Sequence, residues 1–424
     1  MKMKKYKLRE LLTIKNGKDH KQLKEGVYPV LGSGGVMRYV DTFLYDKPSV
    51  LLPRKGSLNN IQYSDKPFWT VDTLYYTEVN EKKVNAYYLY NYLKLLDLSN
   101  LDSGTGVPSM TFDSYYNLSV NLPSLEIQNK VASALFHIDE KISINRQINR
   151  NLEELAKQIY DYWFVQFDFP NEEGKPYKSS GGKMVWNETL KRKIPAGWEV
   201  KRLGEILVKI DSGKRPAGGI NKALKSGIPS LGAECIDDLG VFDFSSTPFI
   251  DNSYRNKLTT GKICNNDILV YKDGAYVGKI TLFRDNFPYE EAFVNEHVFL
   301  IHAQEECLEE YLYFSLKQKA YFQIMQNLGK AKAAQPGLNR EDMQNILLIV
   351  PNKNIVSVFH NKVGLLFENI FNNARAIGNL SSLRDNLIPL LMNGQVTLNS
   401  CLSLIIHLYN TIFARFNFTT RNSK

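Results

Sequence analysis

The chain repeats itself once over most of its length, and this duplication restricts the architectures open to it. When Pro123 is set against Pro351, a shift of 228 residues, Pro108 falls on Pro336. The same shift superposes six further apolar pairs, namely Val131 with Phe359, Leu135 with Val363, Leu152 with Leu380, Leu155 with Leu383, Ile159 with Leu387 and Trp163 with Leu391. Solenoid repeats run to about 20–50 residues. A period near 200 residues therefore predicts two related domains, for which 424 residues suffice.

The first parts of the two copies also resemble each other, with smaller shifts. The matched segments are KLRELLTIKNGK (7–18) with KRLGEILVKIDSGK (201–214), YPVLG (28–32) with IPSLG (228–232), and VLLPRKGS (50–57) with ILVYKDGA (268–275). The shift grows from about 195 to 218 along the chain. This growth predicts longer loops in the second copy.

Each copy begins as a mixed α and β domain. Short apolar runs are broken by Gly, Pro, Asn and Asp, which predicts strands with turns at Lys55-Gly56 and Asp273-Gly274. Residues 85–96 and 308–325 are predicted to be helical. The fold class is therefore α+β.

Each domain is followed by a long segment with helical periodicity. After Pro123 about forty residues contain neither Pro nor Gly, and apolar residues recur at spacings of four and three. The expected stripe consists of Ile127, Val131, Ala134, Ile138, Ile148, Leu152, Leu155, Ile159 and Tyr162, with Lys141 and Asn145 as polar interruptions. The stripe of the second helix, from about Asn354 to Met392, consists of Ile355, Phe359, Val363, Leu366, Ile370, Ile377, Leu380, Leu383, Leu387 and Leu391.

Either stripe alone is compatible with an ordinary amphipathic helix in a core. Two matching helices after two matching domains favour pairing as an antiparallel coiled coil. The two domains would then be related by a pseudo-twofold axis and held at a fixed separation.

Composition limits the partners. The net charge of +9 and a pI of about 9.0 favour polyanions such as nucleic acid or acidic membrane surfaces, and equally suit a solvated basic protein. The four cysteines, Cys235, Cys264, Cys307 and Cys401, are too scattered for a zinc clip or a disulfide framework, so reduced thiols in the cytoplasm are expected. No secretory signal or membrane span is predicted.

No catalytic site is predicted. The glycines at Gly274 and Gly278 lack the spacing and the Ser or Thr of a phosphate loop. The sequence has no Asn-Pro-Pro-aromatic or Asp-Pro-Pro-aromatic motif of an amino-methyltransferase and no His-Glu-x-x-His zinc motif. His297 is interpreted as a packed residue of a strand.

The order of mixed domain, long helix, mixed domain, long helix resembles the specificity subunit of type I restriction-modification enzymes. The residues that match the family's central conserved region are Leu122, Pro123, Leu125 and Gln128 at its start and Trp163, Phe164, Val165 and Phe167 at its end. NLSSLRDNLIPLLMNGQV (379–396) is similar to its second such region, AQPGLNREDMQNILLIVP (334–351) to the close of a recognition domain, and WEVKRLGEI (198–206) to the start of the second one. The resemblance spans residues 6–398.

The resemblance implies a division of the chain into a first target-recognition domain (1–123), a first conserved helix (124–166), a linker (167–184), a second target-recognition domain (185–350), a second conserved helix (351–396) and an atypical tail (397–424). Each recognition domain would read one half of a split double-stranded DNA site. The helices would set the spacing and dock methyltransferase subunits, which restriction subunits would join. S-adenosylmethionine, ATP and magnesium would belong to those partners. The implied partner contacts are Gln128, Trp163, Phe164, Leu383 and Leu387.

The tail departs from the family pattern, since it continues beyond GQVTL and contains neither Asp nor Glu. No function is assigned to it.

DNA contact requires Lys and Arg for phosphates and polar side chains for base edges. The candidates in the first domain are Ser33, Arg54, Lys55, Ser57, Thr105 and Ser109. Those in the second are Lys214, Arg215, Lys272, Tyr276, Lys330, Lys332, Gln335 and Asn339, of which GKAKAAQPGLN (329–339) forms the densest patch. Each is also compatible with an ordinary exposed turn.

Two other functions fit less well. A non-enzymatic coiled-coil scaffold joining two protein-binding modules would lack salt-sensitive DNA affinity. A stand-alone methyltransferase or nuclease is disfavoured by the missing motifs.

Overall fold

The computed structural model describes residues 2–98, 108–215, 219, 224–304, 308–330 and 337–395. The chain divides into two compact units. The first unit comprises residues 1–141 and 380–424, and the second comprises residues 142–379.

The first unit combines short strands with two short helices. Its elements are β1 (Lys4–Lys7), β2 (Leu12–Lys15), β3 (Tyr28–Gly32), β4 (Gly35–Val40), β5 (Ser49–Pro53), β6 (Gln62–Ser64), β7 (Trp69–Thr70), β8 (Leu74–Val79), α1 (Ala86–Lys94), α2 (Phe112–Tyr116) and β9 (Ser119–Leu122). Helix α3 (Leu125–Tyr160) follows and continues into the second unit.

Three sheets organise this unit. Strands β2-β8-β5-β6 form an antiparallel sheet, β4-β3-β7 form a second sheet in which β3 and β7 are parallel, and β1 pairs with β9. Helix α1 begins at the Asn85 cap, whose side chain accepts a hydrogen bond from the Tyr88 amide.

The second unit contains a second set of strands and helices. They are β10 (Met184–Asn187), β11 (Arg192–Pro195), β12 (Glu199–Arg202), β13 (Leu207–Ser212), β14 (Ile228–Leu231), β15 (Phe249–Ile250), β16 (Ile268–Tyr271), β17 (Ile280–Leu282), β18 (Phe293–Val294), β19 (Val298–Ala303), α4 (Glu309–Lys317), α5 (Lys319–Lys330), α6 (Arg340–Gln344) and β20 (Leu347–Val350). Helix α7 (Lys353–Met392) follows and ends in the first unit.

The sheets of the second unit repeat those of the first. The orders are β13-β19-β16-β17, β15-β14-β18 with β14 and β18 parallel, and β12-β20. Equivalent main-chain hydrogen bonds also occur in both units: the Leu8 amide donates to the Leu118 carbonyl at 2.9 Å, and the Leu203 amide donates to the Ile346 carbonyl at 2.7 Å. The predicted duplication and the mixed α and β character of both copies are confirmed.

Two glycines in equivalent loops are required by close backbone approach. A Cβ atom on Gly17 would lie 2.1 Å from the Val71 carbonyl oxygen, and one on Gly213 would lie 1.5 Å from the Val294 carbonyl oxygen. Both distances are far below van der Waals contact. The segments that follow β2 and β13 can therefore approach the neighbouring backbone this closely only because glycine has no side chain.

The structure corrects the apolar stripe expected for the second half of α3. Ile148 and Leu155 are exposed, as is Tyr162 just beyond the end of α3, whereas Asn149 and Ala156, one residue after Ile148 and Leu155, are buried. The Asn149 amide nitrogen donates to the Ile370 carbonyl at 3.0 Å, and its amide oxygen accepts from Asn373 at 3.0 Å. A polar residue takes the buried position because its hydrogen bonds are satisfied there, which apolar periodicity cannot reveal.

Contacts between α3 and α7 occur within each unit. In the second unit, Asn149 contacts Ile370, and Tyr160 packs against Phe359 with ring centroids 6.2 Å apart. In the first unit, the Arg384 guanidinium donates to the Asp139 carboxylate at 2.6 Å. The expected α7 positions Phe359, Val363, Ile370, Leu387 and Leu391 are buried.

The helix expected over residues 308–325 is in fact two helices. Gln318 is extended, with φ −60° and ψ 140°, and it separates α4 from α5. No helix in the described ranges is long and apolar enough to cross a membrane.

Candidate nucleic-acid interface

In the first unit, the turn after β5 brings predicted DNA-contact residues together. The Arg54 amide donates to the Thr73 carbonyl, and the Met110 amide donates to the Arg54 carbonyl, both at 2.9 Å. Lys55 forms a β-bridge with Ser109. The turn is thus held from both sides by main-chain hydrogen bonds. We call residues 33, 54–57, 72–73 and 109 the first loop cluster.

The predicted residues of this cluster lie in one place. A Cβ atom on Gly56 would lie 3.3 Å from the Ser33 hydroxyl oxygen, so the β3–β4 turn adjoins the 54–57 turn. The Arg54 guanidinium donates to the Asp72 carbonyl at 3.4 Å. Lys55 and Ser57 are exposed. The structure therefore assembles Ser33, Arg54, Lys55, Ser57 and Ser109, whereas Thr105 lies outside the described residues.

The second unit builds the same arrangement from equivalent residues. The Lys272 amide donates to the His297 carbonyl at 3.0 Å, and the Leu338 amide donates to the Lys272 carbonyl at 2.7 Å. Asp273 forms a β-bridge with Gly337. We call residues 214–215, 272–276, 296–297 and 337 the second loop cluster.

Two basic side chains of the second loop cluster, those of Lys272 and Arg215, contact neighbouring residues. The Lys272 ammonium lies 5.0 Å from the Phe299 ring centroid and 4.0 Å from the Asp273 carboxylate. The Arg215 guanidinium lies 2.8 Å from the Glu296 carboxylate. The Tyr276 side chain is 66% exposed and is available to a ligand.

The remaining predicted residues of the second domain have different surroundings. Lys214 is exposed, and Lys330 is exposed at the end of α5. Asn339 is the N-cap of α6, where its side chain accepts a hydrogen bond from the Asp342 amide. Lys332 and Gln335 lie outside the described residues.

Three residues of the second loop cluster were missed by sequence reasoning. His297 is 37% exposed on its side chain rather than packed: its Nδ1 lies 2.9 Å from Asp273 and its Nε2 lies 3.3 Å from Glu296. The other two residues are Asp273 and Glu296, which a search for basic DNA-contacting residues does not select. The sequence predicts the Asp-Gly turn at 273–274, but nothing in it links that turn to residues 296–297.

Comparison with known proteins identifies the family. The model of the family described as type I restriction modification DNA specificity domain matches residues 1–154 and 195–363. The chain belongs to this family. It carries two specificity domains, and it is a recognition component rather than an enzyme.

Relatives of the specificity chain match most of its length. The type I restriction enzyme MjaIX specificity subunit of Methanocaldococcus jannaschii is 26% identical over 372 residues, covering 83% of this chain and 78% of that protein. The HindI specificity subunit of Haemophilus influenzae is 26% identical over 352 residues, covering 72% and 74%. The S subunit structure from M. genitalium aligns with a TM-score of 0.58 and 18% identity over 92% of this chain and 96% of that one, which supports the fold.

All five residues that are expected to contact partners are buried or partly buried within the chain itself. Gln128 is 1% exposed and bonds the Asn85 amide and the Pro123 carbonyl at 3.0 Å each. Trp163 and Phe164 are buried in the core of the second unit, and Leu387 and the partly buried Leu383 lie in that of the first. Four other apolar residues are exposed along one side of this segment, and we call them the α3 stripe: Ile144, Ile148 and Leu155 of α3, and Tyr162 just beyond its end.

Proposed function

We propose that this chain is the DNA-recognition subunit of a type I restriction-modification complex, in which each specificity domain reads one half of a bipartite site. The observation that supports this most strongly is the loop cluster built twice, with the same main-chain hydrogen bonds at Arg54 and at Lys272. Two copies of one scaffold that carry different side chains suit two different half-sites. We place the domains at residues 1–123 and 185–350.

The long helices are proposed to pair as an antiparallel coiled coil that relates the domains by a pseudo-twofold axis and sets the spacer between the half-sites. The contact of Arg384 with Asp139 and that of Asn149 with Ile370 support this pairing, because residue numbers fall along α7 as they rise along α3. A buried asparagine in such a pair fixes the register, since any slip would leave its amide unsatisfied.

Methyltransferase subunits are proposed to dock on the α3 stripe, and restriction subunits to join that complex. Ile144, Ile148 and Leu155 are spaced by four and seven residues, so they share one face of α3, and Tyr162 follows seven residues later. Exposed apolar residues aligned in this way suit a protein interface. S-adenosylmethionine, ATP and magnesium are proposed to bind to those partners, in the cytoplasm.

DNA affinity should depend on salt through the loop clusters. In the variant R54A/K55A, the slope of log K against log salt should fall by about 1 for each phosphate that the protein no longer neutralises. Fluorescence anisotropy with a duplex, at several salt concentrations, measures this slope. Lys130→Ala is the control, because Lys130 pairs with Glu126 on the exposed surface of α3. Salt-independent binding by the unaltered chain would favour the protein scaffold instead.

Charge placed on the α3 stripe should remove partner docking. Leu155→Asp combined with Ile148→Asp should abolish copurification with a modification subunit, because two carboxylates would have to be desolvated in the interface. The melting temperature should stay unchanged, since both side chains are exposed. Ser143→Asp, an exposed position outside the stripe, is the control. Full copurification of the double variant would place the docking surface elsewhere.

A further inference from the structure

We infer that Asp273, positioned by His297, is a specificity-determining residue of the second domain and accepts a hydrogen bond from the exocyclic amino group of a cytosine or adenine. The inference rests on the proposed function and goes beyond it. It assigns a base chemistry to one position and predicts that the two domains differ there.

The main chain fixes which residues of the two copies correspond. Arg54 and Lys272 each donate their amide to the carbonyl of a residue that immediately precedes the same sheet strand, Thr73 in the first domain and His297 in the second. The β-bridges then align Lys55 with Asp273. A cation in the first domain is therefore replaced by an anion in the second on the same scaffold.

The residue two positions before the strand does not change its charge between the two domains. Asp72 precedes Thr73, and Glu296 precedes His297, so both domains carry a carboxylate there. Arg215 holds Glu296 at 2.8 Å. The chemical contrast between the copies thus concentrates at the pairs Lys55 and Asp273, and Thr73 and His297.

Asp273 is held in a defined orientation. One carboxylate oxygen lies 2.9 Å from His297 Nδ1. The other lies 2.6 Å from the point where a Cβ atom on Gly337 would stand, so a side chain at 337 would displace it. An ionised carboxylate has about four acceptor positions, and its side chain is 25% exposed, so acceptor capacity remains for a base.

Base-edge chemistry gives the expected preference. Carboxylates accept from the amino group of cytosine, whereas Arg and Lys donate to the O6 and N7 acceptors of guanine in the major groove. The Lys272 ammonium lies 4.0 Å from the Asp273 carboxylate and offsets part of its repulsion by phosphates. The first domain, with Arg54 and Lys55 in the equivalent turn, should favour guanine at the corresponding position.

Methylation mapping of cells that express the chain with a modification subunit tests this inference. We would compare the unaltered chain with Asp273→Asn, with His297→Thr and with the reciprocal Lys55→Asp, and measure the melting temperature of each. Glu290→Gln, an exposed carboxylate of the same domain outside the second loop cluster, is the matched control.

Asp273→Asn should weaken discrimination for the amino-bearing base about 10-fold at one position of the second half-site. His297→Thr should reduce base discrimination at the same position, and Lys55→Asp should change the base preference of the first half-site only. A structural role alone would lower the melting temperature and total methylation and leave base preference intact, which would overturn the inference. An unchanged motif in all three variants would also overturn it. If the unaltered chain directs no motif at all, it is the proposed function that fails.

Discussion

Glu310→Gln should destabilise the second unit by about 3–5 kcal/mol, because it leaves a buried guanidinium without its counter-ion. Glu310 is fully buried, and one of its oxygens accepts a hydrogen bond from the Arg284 guanidinium at 2.6 Å. Its other oxygen lies 2.8 Å from His360 Nδ1 on α7. Arg284 is itself 8% exposed and also donates to Asn266 at 2.6 Å. The glutamine keeps the shape and removes the charge.

Urea unfolding followed by tryptophan fluorescence measures this loss, since Trp163, Trp186 and Trp198 all lie in the second unit. Glu188→Gln is the control: its pair with Lys191 is exposed, so the unfolding midpoint should not move. Equal midpoints for Glu310→Gln and the unaltered chain would mean that the buried charges are not coupled.

The same comparison should depend on pH on the acidic side. Burial opposes ionisation of Glu310, but the hydrogen bond from His360 and the charge of Arg284 hold its pKa below the ordinary value of 4.5. A lowered pKa stabilises the folded state at pH values above 4.5, and this contribution disappears as the pH falls through the folded pKa. The difference between the unaltered chain and Glu310→Gln should therefore shrink below pH 4.5.

Much of the architecture could be predicted from the sequence because it rests on local patterns. Internal similarity predicts the duplication, and the sequence pattern predicts a helix from residue 85 and the buried α7 positions Phe359 and Val363. The buried position of Asn149 could not be predicted in this way, because its amide is satisfied by residues more than two hundred positions away.

The candidate site could likewise be predicted only in part. Arg54 and Lys55 stood out as cations in a turn, and the structure places them together with Ser33 and Ser109. Asp273 and His297 did not stand out as a pair in the sequence, because only the fold brings their two loops together. The family motif residues Gln128 and Trp163 were recognisable, but their burial indicates that the motif records packing of the helix against its domain.

The modular reading of DNA by two domains is tested most directly by exchange of one domain. Residues 1–123 would be replaced by those of a related specificity chain, and methylated sites would be mapped in cells that also express a modification subunit. We predict that one half of the recognised site changes completely, while the other half and the spacer length remain, because residues 185–350 and the α7 helix are untouched. A change in both halves, or in neither, would contradict the account.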